Sequence, residues 1–171
     1  MSNQNNIFLI GLMGTGKTTV GRQLSRKLKM DFYDSDRVIE ERTGADIPLI
    51  FEKEGEAGFR KREADIIDEL TQKKNIILAT GGGAVLDSEN RNHLINRGTV
   101  FYLKSNLKTL IDRTSKDKNR PLLHADEPAE DILKRLLEER GPLYEATADY
   151  TIETANNSIH SVIQAIIKSL K

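Results

Sequence analysis

An α/β fold, with a parallel sheet covered by helices on both faces, is what this sequence predicts. Three observations carry that expectation. Short apolar runs of strand type alternate along the chain with stretches of helical period, the order that builds a parallel sheet. A glycine-rich loop separates the first strand run from the first helix, and in such folds ligands gather at the C-terminal ends of strands. The 171 residues suit one domain with a sizeable core.

The first strand is 7–10, a continuous apolar run, and it leads into Gly11-Leu12-Met13-Gly14-Thr15-Gly16-Lys17-Thr18. This is the phosphate-binding pattern G-x-x-x-x-G-K-[ST], and a helical pattern over 18–28 completes the strand, loop and helix that the motif requires. The spacing has a chemical reason. Glycines let the backbone curl so that successive N–H groups face phosphate oxygens, and the following helix adds the positive end of its dipole. Lys17 is placed to reach the β- and γ-phosphates, and the Thr18 hydroxyl to ligate Mg²⁺.

The second strand, 31–34, ends on Asp34-Ser35-Asp36. A short helix over 37–42 is stopped by Gly44, and a helix over 46–54 tolerates Pro48 in its first turn. A longer helix over 56–73 puts Phe59, Ile66, Ile67 and Leu70 on one face. The apolar strand 75–79 ends at Thr80-Gly81-Gly82-Gly83, and a helix over 87–97 is ended by Gly98. A strand over 99–103 and a helix over 107–113 follow. Residues 114–127 are polar and basic without periodicity, and long enough for a functional or mobile loop. A helix over 128–140 is interrupted by Gly141-Pro142, a last short strand is 150–153, and an amphipathic helix over 158–171 closes the chain.

Lys plus Arg and Asp plus Glu number 26 each, so no global charge draws the chain to nucleic acid or an anionic membrane. No apolar run is long enough to span a bilayer, and residues 1–6 do not read as a signal peptide. The absence of cysteine removes disulfides, thiolate zinc sites and cysteine nucleophiles, and suits a reducing cytoplasm. The three histidines, His93, His124 and His160, show no metal-ligand clustering.

Other residues carry candidate chemistry. Asp34 and Asp36 lie beyond a strand, near the expected Mg²⁺, where one could hold metal-bound water and the other orient a substrate hydroxyl. Helix N-capping is the equal alternative for them, although no Glu or Gln three residues on completes a capping box. Gly81 to Gly83 permit close backbone approach to a ligand, or form an ordinary flexible loop. The acid that commonly ends this strand in phosphate-loop proteins is missing, Thr80 standing in its neighbourhood, a lack that Asp34 can compensate. Arg60, Arg113, Arg120 and Arg140 each read by default as solvated charges. Arg120 is the strongest candidate among them, because it sits in the irregular cationic stretch, which can close over a phosphate site.

The phosphate loop, Asp34-Ser35-Asp36, Phe59-Arg60-x-x-Glu63, Gly81-Gly82-Gly83, Arg120-Pro121-Leu122-Leu123, and Arg140 followed by Tyr144 and Ala148-Asp149 together resemble the shikimate kinase family over essentially the whole chain. The resemblance implies a three-layer α/β/α P-loop kinase fold with a central five-stranded parallel sheet and a mobile lid. It implies one kinase domain over 1–171, with the phosphate loop at 11–18, a shikimate-binding region at about 35–63 and the lid at about 114–127. The implied reaction is transfer of the ATP γ-phosphoryl group to the 3-hydroxyl of shikimate, with Mg²⁺ as cofactor. ATP contacts fall to Gly14, Thr15, Gly16, Lys17, Thr18, Thr19, Arg113 and Arg120, with Arg113 on adenine and Arg120 in the lid. Shikimate contacts fall to Asp36, Arg60, Gly81, Gly82, Gly83 and Arg140, the two arginines gripping the carboxylate, with Phe51 and Phe59 as an apolar wall. Lys17, Asp36 and Arg120 are the implied catalytic residues, and Thr18 with Asp34, through water, the implied metal site. Shikimate and ATP are the expected partners, with no nucleic acid or membrane, for a monomer in the cytoplasm. A nucleotide or gluconate kinase is the nearest rival. A GTPase is disfavoured, because neither Asn-Lys-x-Asp nor Asp-x-x-Gly after a strand is present.

Overall fold

A computed structural model describes residues 5–114 and 128–171. Five strands form one parallel sheet in the order β2-β3-β1-β4-β5: β1 (Ile7–Ile10), β2 (Asp31–Asp34), β3 (Ile76–Ala79), β4 (Thr99–Lys104) and β5 (Tyr150–Glu153). Every strand pairing is parallel, with Phe8 opposite Leu78 on one side and Val100 on the other. All four residues of β1 are buried, which is why the strand reads as an unbroken apolar run rather than an alternating one.

The pleat divides those residues between two faces. Phe8, Ile10, Leu78, Val100 and Tyr102 join a core with α2 (Ser35–Thr43), α3 (Ile47–Thr71), α4 (Ser88–Arg97), α5 (Leu107–Thr114) and α6 (Ala129–Thr147). Ile7, Leu9, Ile77, Phe101 and Leu103 join a second core with α1 (Lys17–Leu28) and α7 (Ile159–Leu170). The three layers expected from the sequence are therefore present, and the sheet is five-stranded and all parallel.

Two local features differ from the sequence reading or sharpen it. The helices expected over 46–54 and 56–73 form one run, α3, broken at Gly55, whose φ of 74° and ψ of 177° are not helical. The guanidinium of Arg62 grips Glu54 across this break with two hydrogen bonds of 2.8 and 2.7 Å. Pro142, expected to interrupt the helix that follows 128, lies inside α6, which runs on to Thr147. Leu133, Leu136, Arg140, Tyr144 and Thr147 are buried along one face of α6 and hold it through the proline. The carbonyl that proline leaves without its usual partner belongs to Glu138, an exposed residue that water can satisfy.

Candidate active site

The phosphate loop leaves the end of β1, the middle strand of the sheet. Gly11, Gly14 and Gly16 have φ of 147°, 85° and 92°, conformations that exclude most side chains. Thr15 is buried, its hydroxyl donating to Leu12 O at 3.0 Å. Lys17 opens α1, and its Nζ donates to the carbonyls of Gly11 at 2.6 Å and Leu12 at 2.8 Å. The lysine charge is thus curled back onto the carbonyls of the loop.

Thr18 donates its hydroxyl to Asp34 Oδ2 at 2.6 Å. The other oxygen of Asp34 accepts the N–H groups of Asp36 at 3.0 Å and Arg37 at 3.3 Å, capping α2. Capping and a place beside Thr18 are therefore not alternatives for Asp34, because one oxygen serves each. An oxygen-only pair of hydroxyl and carboxylate is the donor chemistry that suits Mg²⁺. Among the described residues no three His, Cys, Asp or Glu side chains gather to make a protein-only cage, and Mg²⁺ ordinarily keeps waters and phosphate oxygens as ligands.

A cavity of about 520 Å³ gathers these groups. Gly14, Gly16, Lys17, Thr18 and Thr19 line one side, and Asp34, Asp36, Thr80, Gly81 and Gly82 the other. Arg113 and Ile159 complete it, with Arg113 Nη1 donating to Gly14 O at 3.0 Å. Ile159, at the start of α7, stands where a Cβ on Gly16 would meet its Cδ1 at 3.7 Å.

Behind Gly81 and Gly82 stands a charged cluster. A Cβ on Gly81 would lie 2.7 Å from Asp36 Oδ1 and 2.9 Å from Glu63 Oε2, so only glycine fits between the two carboxylates. A Cβ on Gly83 would run into the Arg60 guanidinium, and one on Gly82 would sit 3.6 Å from Arg140 Nη1. Arg60 donates to Glu63 Oε1 at 2.9 Å, one helical turn along α3, and to Glu56 at 3.3 Å. Glu63 is 1 % exposed, and burial pushes its carboxyl above the usual range against the opposing charges of Arg60 and Arg140. Glu63 Oε2 and Arg140 Nε are buried without a hydrogen-bond partner among the described residues, the kind of orphaned polar atom that a bound ligand or water ordinarily satisfies. Phe51 and Phe59 pack beside this cluster with ring centroids 5.1 Å apart, and Phe59 lies 5.3 Å below the Arg60 guanidinium.

Of the residues singled out in the sequence, Gly14, Gly16, Lys17, Thr18, Thr19, Asp34, Asp36, Gly81, Gly82 and Arg113 meet at the cavity. Thr15 is buried beneath the loop, and Arg60, Arg140 and Gly83 adjoin the cavity through the glycine turn. Arg120, and the lid assigned to 114–127 apart from Thr114, lie outside the described residues. Four further residues join the site. Glu63 carried a signal, three residues after Arg60 on a helix. Ser35, whose hydroxyl accepts the Gly81 N–H at 3.1 Å, stood between the two aspartates. Tyr144, which donates to Gly82 O at 2.5 Å, stood in the pattern that follows Arg140, whereas Ile159 carried no signal that composition or spacing could supply.

A phosphate loop at the end of the middle strand of a parallel sheet, facing a cluster of carboxylates and arginines around Gly81 to Gly83, is the arrangement of a P-loop kinase for a small anionic acceptor. Comparison with known proteins narrows the class. The family model for shikimate kinase matches residues 13–171. The chain is 53 % identical over 171 residues to a shikimate kinase of Vibrio parahaemolyticus, covering 100 % of this chain and 99 % of the relative. It is 52 % identical over 171 residues to shikimate kinase 1 of Escherichia coli, with the same coverage. Among solved structures, shikimate kinase from Acinetobacter baumannii in complex with shikimate superposes with a TM-score of 0.94 at 48 % identity, covering 99 % of this chain and 94 % of that one. The chain belongs to the shikimate kinase family.

Proposed function

We propose that this member of the shikimate kinase family, which phosphorylates shikimate with ATP, transfers the γ-phosphoryl group to the 3-hydroxyl across the cavity between Lys17 and Asp36. The observation that carries the reading is the convergence, around Gly81 and Gly82, of a phosphate loop on one side and Asp36, Arg60, Glu63 and Arg140 on the other.

In this reading Gly14, Thr15, Gly16, Lys17, Thr18 and Thr19 hold the phosphates, and Arg113 flanks the adenine. The phosphates draw Lys17 Nζ from the loop carbonyls it now serves. Arg60 and Arg140 take the substrate carboxylate, since a guanidinium matches a carboxylate with two parallel hydrogen bonds and a lysine does not. Phe51 and Phe59 form the apolar wall, Gly81 to Gly83 line the pocket, and Asp36 accepts the hydrogen bond of the attacking hydroxyl. Asp36 therefore orients the substrate oxygen's lone pair toward the γ-phosphorus and receives the hydroxyl proton as the new O–P bond forms and the bond from the γ-phosphorus to the bridging oxygen breaks, ADP leaving. Arg120 supplies positive charge to the phosphoryl group in transfer. Thr18 and Asp34 would hold Mg²⁺, Thr18 directly and Asp34 through water. When bound there, the ion would neutralise part of the phosphate charge.

The protein acts as a single-domain monomer in the cytoplasm in this reading. Among the described residues no helix is long and apolar enough to cross a membrane. The test is purified protein with ATP and Mg²⁺ offered shikimate, gluconate and nucleoside monophosphates in parallel. Shikimate is turned over and the others far less. Equal turnover of gluconate would move the assignment to the rival acceptor.

A further inference from the structure

Residues 81–84 form a tight turn, closed by Ala84 N–H donating to Gly81 O at 3.1 Å. Its third residue, Gly83, has φ −93° and ψ 2°, close to the type I setting of about −90° and 0°. Glycine in that place is what a type II turn calls for, with φ of about +80°. The two forms differ by rotation of one peptide plane, that between Gly82 and Gly83. With glycine on both sides, the rotation meets little steric resistance. The bond that holds the plane comes from α6. Tyr144 donates its hydroxyl to Gly82 O at 2.5 Å. Its ring is wholly buried and stacked on Tyr102, with centroids 4.9 Å apart. Burial pushes the Tyr144 phenol far above its ordinary range, against the pull of the Arg140 charge, so it keeps its proton as a donor.

We propose that Tyr144 is a positioning residue whose hydroxyl locks the Gly82–Gly83 peptide in the type I setting, and so fixes the polarity of the turn between Arg60 and Arg140. In a trans peptide the carbonyl and the N–H point in opposite directions. Holding Gly82 O against α6 therefore holds Gly83 N–H on the far side of the plane. Arg140 lies one helical turn before Tyr144 and adjoins Gly82, while the Arg60 guanidinium fills the space beside Gly83. A flip would exchange donor for acceptor in this gap. The carbonyl would then compete with an anionic substrate for the guanidinium donors, and a backbone donor would be lost. The proposal rests on the reading of Arg60 and Arg140 as the carboxylate clamp.

Tyr144→Phe keeps the ring and removes the lock. A type II turn brings the Gly82 Hα close to the Gly83 N–H and a type I turn does not, so the nuclear Overhauser effect between them reports the flip without any activity measurement. The expected result is a strong effect in Tyr144→Phe and a weak one in the parent. Shikimate KM should rise about tenfold, the scale of one lost hydrogen bond, with ATP KM and kcat within about twofold. Tyr102→Phe, which removes a hydroxyl from the stacked ring without touching Gly82, should do neither. A folded Tyr144→Phe protein with the weak effect, or with unchanged shikimate KM, overturns the lock. Should Tyr144→Phe fail to fold, the unmodified protein decides: a strong effect there overturns the proposal, and a weak one with a slowly exchanging Tyr144 hydroxyl proton supports it. Arg140→Ala tests the clamp separately. Unchanged shikimate binding in that variant would remove the clamp reading, while the resonance arm still decides the lock.

Discussion

The hydroxyl of Thr18 donates to Asp34 Oδ2 at 2.6 Å, tying the first turn of α1 to the end of β2. The acid often found after the strand beside the phosphate loop is absent, and Thr80 stands there with its N–H on Leu9 O at 3.1 Å. Asp34 reaches the same hydroxyl from the neighbouring strand. Its second oxygen is occupied in capping α2.

That division of labour makes two variants differ. Asp34→Asn keeps an oxygen for the cap, since asparagine caps as well as aspartate, but removes the charge. The Mg²⁺ concentration for half-maximal activity should rise about 10- to 100-fold, as when an outer-shell metal partner is lost, while the melting temperature without metal stays near the parent's. Asp34→Ala should show the same metal defect and lose about 1 kcal/mol of stability with the cap. Magnesium titrations of activity, paired with metal-free melting curves, check both. An unaltered Mg²⁺ requirement in Asp34→Asn would confine Asp34 to capping.

Asp36 touches the space beside Gly81 from which the substrate hydroxyl would be met. Asp36→Asn preserves shape and removes basicity. Turnover should fall about 10²-fold or more, the scale of general acid–base catalysis, while ATP binding measured by calorimetry remains. Near-parental turnover would return this residue to the first turn of α2 as a helix-dipole partner.

Arg60 and Arg140 adjoin Gly83 and Gly82, side by side in the turn. If they grip one carboxylate, truncation of either should weaken shikimate binding by about 2–5 kcal/mol, as for a buried charge pair that loses one member. The double variant should lose less than the sum, because both serve one group. Titration calorimetry with shikimate and with its neutral carboxamide checks this. The amide should bind the parent poorly, and parental affinity for it would refute the clamp.

Glu63 yields a pH dependence. Burial raises its carboxyl above the ordinary range despite Arg60. The folded state therefore favours the protonated form more than the unfolded chain does, whose pKa is about 4.3. Stability is then greatest at low pH as far as this group is concerned, and declines as pH rises from the unfolded value through the raised folded one. Glu63→Gln removes that titration and keeps an oxygen for Arg60. Plotted against pH, its melting temperature should lack the fall that the parent shows above the ordinary carboxylate range. Parallel curves for the two proteins would mean that the Arg60 ion pair holds Glu63 charged at no cost to folding.

Much of this site was legible in the chain because its chemistry is local. The phosphate loop, Asp34 and Asp36, and the glycine run each lie at a strand's last residue or within a few residues after it, and strand ends in a parallel sheet share one edge. Gly55 divided two helical stretches in the sequence and breaks α3 in the structure, because the requirement for positive φ belongs to a single residue. Pro142 misled for the opposite reason. Its local preference is to end a helix, but the buried face from Leu133 to Thr147 outweighs it.

What the chain by itself determined was a parallel α/β fold, a phosphate-loop motif at the end of its first strand, and a family resemblance covering its whole length. Tertiary structure alone decided that β1 lies between β3 and β4, which brings the end of β3 against the phosphate loop. It decided too that Asp34 shares itself between a cap and Thr18, that Glu63 faces Asp36 across Gly81, and that Tyr144 reaches Gly82 from 62 residues away. The physical reason is separation along the chain. Turns, caps and helix faces depend on neighbours that the sequence prints side by side. Contacts between a loop and a distant helix depend instead on how two apolar faces of a sheet are covered, and many helix positions satisfy that burial equally until the packing selects one.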